Sequence, residues 1–430
     1  MISSRLAEWM KARGIHYGWV VAVTTFLTML ATAGAMGSAG VMIQPLHQEF
    51  GWDIADISFA MAVRLVLFGL LGPFAAAFMT HFGIRTVVLV ALSLIAGGIV
   101  TSIFMTEVWQ LLILWGVVIG IGTGMTAMVL GATVASRWFS KRRGVVLGLM
   151  SASTATGQLV FLPALAALTE DYGWRTAMGL AVAIIAIAMI LVLFLMKDHP
   201  ADVGLPAYGD ETVSPKPVSS QSLTATLVSP LTTLKQASTV PAFWVLFGTF
   251  FVCGLSTNGL IQTHWISICG DFGMAAVSAA STLAVIGIFD FLGTIFAGWL
   301  SDRYDNRILL FWFYGLRGLS LIYLSFSGFS FVELSVFAIF YGLDWVATVP
   351  PTVKLAAETF GREKAGLVFG WVFTGHQLGA AAAAFGAGYM RSDFETYMPA
   401  LQIAGVMCML AALSVLLLKQ HPGPTRLQPA

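Results

Sequence analysis

The stretch EFG, Glu49 to Gly51, returns as DFG, Asp271 to Gly273, at an offset of 222 residues. The same offset carries Arg85 onto Arg307 and Asp171-Tyr172 onto Asp393-Phe394. It also carries Gly144, Gly148 and Gly157 onto Gly366, Gly370 and Gly379, with no gap between the first match and the last. One glycine match in a chain with 44 glycines means nothing, but one constant offset across half the chain marks an internal duplication. The chain is therefore read as two copies of one unit.

Composition decides what that unit is. The chain is 58% hydrophobic and 10% charged, against about 25% charged in ordinary globular domains, which excludes a soluble enzyme. Apolar runs of about 20 residues, enough to cross a bilayer, recur throughout. Twelve are read, at 18–44, 56–79, 86–105, 108–134, 144–168, 174–196, 242–266, 276–300, 308–327, 331–352, 365–388 and 398–418. Lipid cannot satisfy backbone N–H and C=O groups, so each must be a helix. The fold class is an all-α integral membrane protein, with twelve transmembrane helices in two pseudo-symmetric halves of six. The halves are 1–196 and 241–420, joined by a Pro-, Ser- and Thr-rich cytoplasmic linker, 197–240, and followed by a Pro-rich tail, 421–430. Within the linker, 223–237 is read as a short helix on the membrane surface.

Net charge is only +1, so placement matters more than balance. With the N-terminus in the cytoplasm, Arg175 and Arg391 fall in outer loops and Arg64 and Arg317 within spans, leaving eighteen of 22 basic residues on the cytoplasmic side. That asymmetry puts both termini inside. The first apolar stretch is too long for a cleavable signal peptide. The three cysteines, Cys253, Cys269 and Cys408, suggest neither a disulfide framework nor a metal site. His264 beside Cys269 reads as a metal pair or as a packed thiol next to an interfacial histidine. Nucleic acid, metal and cofactor are not implied; the partner is the bilayer, and the chain is read as a monomer. Glycines at 116, 120, 122 and 124, and small residues at 379–388, let helix backbones approach closely, for sliding or for static packing alike.

Two motifs carry a family resemblance. GWLSDRYDNR, Gly298 to Arg307, resembles the G-x-L-x-D-R-x-G-R-R cytoplasmic signature of the major facilitator superfamily; Gly298, Leu300, Asp302, Arg303 and Arg307 match, and Asp305 stands where the pattern has Gly. The counterpart AAFMTHFGIR, Ala76 to Arg85, keeps Gly83 and Arg85 but has Thr80 for the Asp. RWFSKRRGVVLGLMSASTATG, Arg137 to Gly157, with HYGWVVAV, His16 to Val23, and HPADVGLPAYG, His199 to Gly209, is similar to the bacterial monocarboxylate porter family. The resemblance implies the major facilitator fold, a secondary transporter working by alternating access, and a cytoplasmic gate at Asp302, Arg303, Arg307 and Arg85. Parallel six-span repeats with a site between them fit that build. A carboxyl group at a helix end can pair with Arg and cap a neighbouring helix.

Charged residues inside spans are functional suspects by default. Asp290 lies 14 residues before Tyr304 and Arg317 lies 13 after it; Arg317 lies 13 before Ser330 and Asp344 lies 14 after it. At about 1.5 Å per residue all three sit near the bilayer middle. Arg317 with Asp290 and Asp344 reads as a structural ion pair or triad. Asp290, Asp344 and His376 read equally as proton-coupling groups. By resemblance, spans one, four, seven and ten line the cavity, with two, five, eight and eleven contributing, so Asn258, Gln262, Tyr341, Asp344, Trp371, His376 and Gln377 face substrate, with Gln158 a minor candidate. Pro350-Pro351 are expected to break span ten at its inner end. Family members that carry carboxylates place a cation in span eight or eleven. Here span eight has Asp290 and span eleven has His376, which leaves Arg64 either to read an anion or to snorkel to the interface. The solute implied is a small organic anion; the rival is efflux of a lipophilic or aromatic compound, suggested by 13 Trp, 31 Phe and the acidic spans eight and ten.

Overall fold

The computed structural model describes residues 2–213 and 223–418. Twelve helical rods run through it. Spans one to six are Gly18–Phe50, Ile54–Phe82, Ile84–Ser102, Val108–Trp138, Arg143–Tyr172 and Trp174–Leu195. Spans seven to twelve are Pro241–Asp271, Ala276–Ser301, Asn306–Ser325, Phe331–Phe360, Arg362–Phe394 and Met398–Val415. Among the described residues, ten are long and apolar enough to cross a membrane; the others, spans five and eleven, are 30 and 33 residues long. Each sequence-read span falls on one rod. Spans one and ten run on to Phe50 and Phe360, because helical hydrogen bonding continues through polar residues such as Gln48, Glu49 and Lys354 that end an apolar run. The linker's middle, 214–222, and the tail, 421–430, lie outside the described residues, as do Lys419 and the side chain of Gln158.

Short connections make successive rods antiparallel. The end of the bundle where span one begins and span twelve finishes is the near end; the opposite end is the far end. Gly51 (φ 68°) and Gly273 (φ 78°) close spans one and seven at the far end in the left-handed conformation that favours glycine. The acidic member of each repeated motif pairs with an arginine, Glu49 with Arg175 at 2.6 Å and Asp271 with Arg391 at 2.9 Å. So the two arginines that depart from the basic-inside pattern are each neutralised. At the near end, Arg85 Nη2 donates to the Leu193 carbonyl (2.6 Å) closing span six, and Arg307 Nη1 donates to that of Leu418 (2.7 Å) just past span twelve. Gly157 seats span five on span one: a Cβ there would lie 2.7 Å from the Leu30 carbonyl oxygen. Gly379 seats span eleven on span seven in the same way, against the Phe251 carbonyl. The sequence offset is thus a duplication of structural jobs.

The halves meet where spans two and eleven, and spans five and eight, pack together, and where the far part of span seven leans on span one. Along spans two and eleven, Gly388 faces Ser58, Gly69 faces Gln377, and Phe74 meets Trp371 edge-on.

Spans four, seven and ten are interrupted. Leu112–Val118 and Leu255–Gln262 are π-helical, and span ten breaks between Asp344 and Val349. Pro350 and Pro351 do not end span ten, as the sequence reading expected. They open its second segment, where a first turn has no use for the missing N–H.

The linker's ends are docked. Asp198 Oδ1 accepts from the Arg85 backbone N–H (2.9 Å) at the start of span three. His16 Nε2 lies 3.0 Å from the Pro206 carbonyl, and the Tyr17 hydroxyl donates to Leu195 (2.8 Å). Tyr208 pairs its backbone with Trp138, Ser140 and Lys141. The helix Leu223–Ala237 packs on spans two and eleven.

Candidate functional site

Arg64 sits on span two, ten residues past its far-end start at Ile54, and is 3% exposed. Its Nη2 donates to the Met36 carbonyl of span one (3.1 Å), while Nε and Nη1 have no protein partner. Around it lies a small cleft lined by Met36, Ala39, Gly40, Leu65, Asn258, Gln262 and Thr263. Two of the sequence-read polar residues, Asn258 and Gln262, are therefore brought to the arginine. Both belong to the π-helical stretch of span seven; such wide turns cluster at functional sites. The Gln262 amide oxygen is also unpartnered. Placing a charged arginine inside a membrane helix costs about 2.5–3.5 kcal/mol on insertion scales. Arg64 thus keeps two unused donors in this cleft, where the unused Gln262 oxygen is an acceptor. Directly on its far side, Gly40 approaches span seven so closely that a Cβ would lie 2.9 Å from the Gln262 carbonyl oxygen.

The second polar group surrounds the break in span ten. A break frees carbonyl and amide groups that lipid cannot satisfy. Arg317, fully buried on span nine, donates from Nε to Asp344 Oδ2 (2.7 Å) and from Nη2 to the carbonyls of Asp344 and Trp345. Its Nη1 lies 3.0 Å from Cys253 Sγ on span seven. Asp290 does not join this ion pair. Its Oδ1 accepts from the Val346 amide (2.9 Å) and from Thr294 (3.0 Å), satisfying the break from span eight. The Asp344 Oδ1 has no partner. The sequence placed these three residues at one depth; it held no signal for the loosened backbone they serve, nor for Cys253.

The remaining candidates lie apart from the arginine cleft. The Tyr341 hydroxyl donates to the Ser256 carbonyl, taking up an acceptor in the π-helical turn. His376 is 8% exposed, stacked on Phe373 and beside Phe250, with Nδ1 3.3 Å from Gln377 Nε2. Gln377 packs on Gly69 of span two and keeps an unpartnered Oε1. Trp371 lies nearer the near end; its indole N–H donates to Pro230 of the linker helix (2.8 Å). His264 Nε2 bonds the Ala384 carbonyl at 2.8 Å.

The loop motif also takes a definite shape. Arg307 pairs with Asp305 (2.6 Å), the residue standing where the family pattern has glycine, and Asp305 caps span nine by accepting from the Arg307 backbone N–H (2.9 Å). The capping role assigned to an aspartate at this helix end thus falls to Asp305. Asp302 faces Lys354 of span ten at 3.4 Å, and Arg303 lies over Trp299 (4.2 Å). In the first half, Arg137 donates to Thr80 Oγ1 (3.2 Å), and Asp198 supplies the carboxylate that Thr80 lacks.

The sequence model of the Major Facilitator Superfamily matches residues 24–384 and 268–430. An uncharacterised MFS-type transporter of Bacillus subtilis, YcxA, is 25% identical over 413 residues, covering 92% of this chain and 93% of that protein. Monocarboxylate transporter 13 of Rattus norvegicus is 24% identical, covering 94% of this chain and 89% of its own. Monocarboxylate transporter 11 of Homo sapiens is 28% identical over 295 residues, covering 67% of this chain and 57% of its own. With its twelve rods, its two like halves and this match over most of its length, the chain belongs to the major facilitator superfamily of membrane transporters.

Proposed function

We propose that the protein carries a small organic anion, a carboxylate, across the inner (plasma) membrane by alternating access, with both termini in the cytoplasm. The observation that carries the reading is Arg64: buried, with Nε and Nη1 unused, in a cleft between the two halves that also holds Asn258 and Gln262. A carboxylate accepts charge-assisted N–H bonds from a guanidinium, which supplies the acceptor that the unused nitrogens of Arg64 lack. Monocarboxylate transporters among its relatives support the substrate class. The cleft lies within one chain, which supports a monomeric carrier.

Proton coupling belongs to the same proposal. Asp344 keeps one oxygen unpartnered beside Arg317, and His376 sits in the seam of spans seven and eleven. Protonation of Asp344 would free Arg317 from its one carboxylate contact. Asp290 is the third candidate.

The test is thermal stability of the purified protein with monocarboxylates, dicarboxylates, aromatic acids and lipophilic cations, at mildly acid and mildly alkaline pH. A ligand at a hundredfold its Kd adds about 2.7 kcal/mol. Stabilisation by an acid that disappears in Arg64→Gln supports the reading. Stabilisation by lipophilic cations alone, lost in Asp344→Asn, replaces it with efflux of lipophilic compounds.

A further inference from the structure

At the far end, two hydrogen bonds cross from one half to the other, and they are copies of each other. Glu170, at the end of span five, accepts through Oε1 from the Ala276 backbone N–H (2.8 Å) at the start of span eight. Ser392, at the end of span eleven, accepts through Oγ from the Ala55 backbone N–H (3.2 Å) at the start of span two. Glu170 and Ser392 stand 222 residues apart, the offset of the whole duplication, and Ala55 advanced by 222 is Val277, next to Ala276. Neither helix caps itself: Asp53 and Ala275, in the N-cap positions of spans two and eight, offer no side-chain cap bond. The first turn of a helix has N–H groups with no partner inside the helix, and its positive end favours an acceptor. Here each half supplies the acceptor for the other.

We infer that Glu170 and Ser392 are the far-end gate of this transporter, a pair of caps lent across the halves that hold the outer side shut. The seam beneath them is built to close. Gly388 of span eleven lies against Ser58 of span two, and their repeat mates, Ala166 of span five and Ala280 of span eight, are both fully buried. Tilting the halves to open the far end draws each cap from its helix and returns those N–H groups to water. Each cap therefore adds to the closed state and not to the open one, so the pair sets the balance between them. The two caps are unequal, since a carboxylate facing a helix N-terminus is charge-assisted and a hydroxyl is not. The proposal needs alternating access but not the identity of the solute, so its test uses no substrate.

Met36 lines the cleft, on the near side of the Gly40 seal, and Met36→Cys is a reporter there. The native cysteines are buried. The measurement is the rate at which a membrane-impermeant maleimide, added on the far side of sealed vesicles, labels Met36→Cys. Losing a cap typically shifts such a balance roughly fivefold. Glu170→Ala and Ser392→Ala should each raise the labelling rate by about that factor, and the double variant by about the product. Ser392→Asp, which strengthens the weaker cap, should slow labelling below the parental rate. A general loosening of the fold cannot produce that opposite sign. Rates unchanged by Glu170→Ala and Ser392→Ala, or raised by Ser392→Asp, would overturn the gate, whichever solute the protein carries.

Discussion

Arg317 and Arg64 are both arginines inside an apolar bundle, yet their surroundings predict opposite responses to the same substitution. Arg317 holds a carboxylate and two carbonyls freed by the break in span ten. Removing one partner of such a buried pair costs about 3–5 kcal/mol, so Arg317→Met should lower the melting temperature sharply. Joining it to Asp344→Leu should recover only part of the loss, because the two carbonyls stay unpaired at about 1–3 kcal/mol each. Arg64 holds a single carbonyl and leaves two donors idle. Arg64→Met should therefore leave the ligand-free protein as stable as the parent or more so, while abolishing stabilisation by acids. A large loss in the absence of ligand would show that Arg64 is structural. His16 gives a third test at this scale. Gly18 N–H donates to its Nδ1 (3.0 Å), so Nε2 bears the proton given to Pro206. Burial lowers its pKa below the ordinary 6.5, against the raising effect of the Pro206 bond. A depressed folded pKa means that the neutral ring is favoured in the fold. Its contribution is full above 6.5 and is lost as pH falls through the lower folded value. Hydrogen-exchange protection of the Tyr208, Ser140 and Lys141 amides, corrected for intrinsic rate, should fall in that acid window. In His16→Ala it should be low at every pH; a pH-dependent loss surviving in that variant would exclude His16 as the cause.

Among the helices, the repeated glycines were read as a set, and the structure divides them. Gly157 and Gly379 press on carbonyls of spans one and seven, whereas nothing lies within 4 Å of a Cβ at Gly148, and at Gly370 the nearest atom is Pro73 Cγ at 3.8 Å. Gly157→Ala and Gly379→Ala should destabilise, and Gly148→Ala and Gly370→Ala should stabilise by roughly 0.5–1 kcal/mol through helix propensity. Thermal melts of the four variants check this; equal effects at all four would remove the packing argument. The division also shows what the sequence could carry. Twelve spans, their order and the two halves were legible because apolar length is forced by the bilayer and is written locally. That Asp290, Arg317 and Asp344 lie at one level of the bundle was legible from residue counts alone. The π-helical turn that presents Asn258 and Gln262, the break at 345–348, and the docking of Asp198 on span three were not. Each is decided by which neighbour supplies a hydrogen bond across the bundle, and residues far apart in the chain leave no spacing to read. Trp371 shows the same limit: its place on the span was readable, but its partner, Pro230, lies in the linker.

For the whole molecule, the distribution of ties says which parts move together. At the near end the arginine and lysine ties stay within one half: Arg85 with Leu193, Arg137 with Thr80, Arg307 with Leu418 and Asp302 with Lys354; what spans the halves there is the linker helix resting on spans two and eleven, with Thr374 donating to the Gly69 carbonyl (3.1 Å) deeper in the bundle. At the far end Glu170 and Ser392 join one half to the other. In a machine of two rigid bodies, a tie inside one body is indifferent to the motion, while a tie between bodies must break once per cycle. The Asp302–Lys354 pair is exposed and contributes on the order of 0–1 kcal/mol, which suits a brace better than a latch. The consequence is testable with short thiol cross-linkers and uptake of a monocarboxylate such as pyruvate into vesicles, or of whichever acid stabilises the protein. Bridging Asp302→Cys to Lys354→Cys should leave uptake near that of the uncross-linked variant. Bridging Ala55→Cys to Ser392→Cys should abolish it and recover when a cleavable linker is cut. Loss of uptake on the first bridge would mean that spans eight and ten separate during the cycle, so that the second half is not one body and its loop motif is a true gate. Uptake surviving the second bridge would mean that the far end need not open at spans two and eleven, leaving the seam of spans five and eight as the only route.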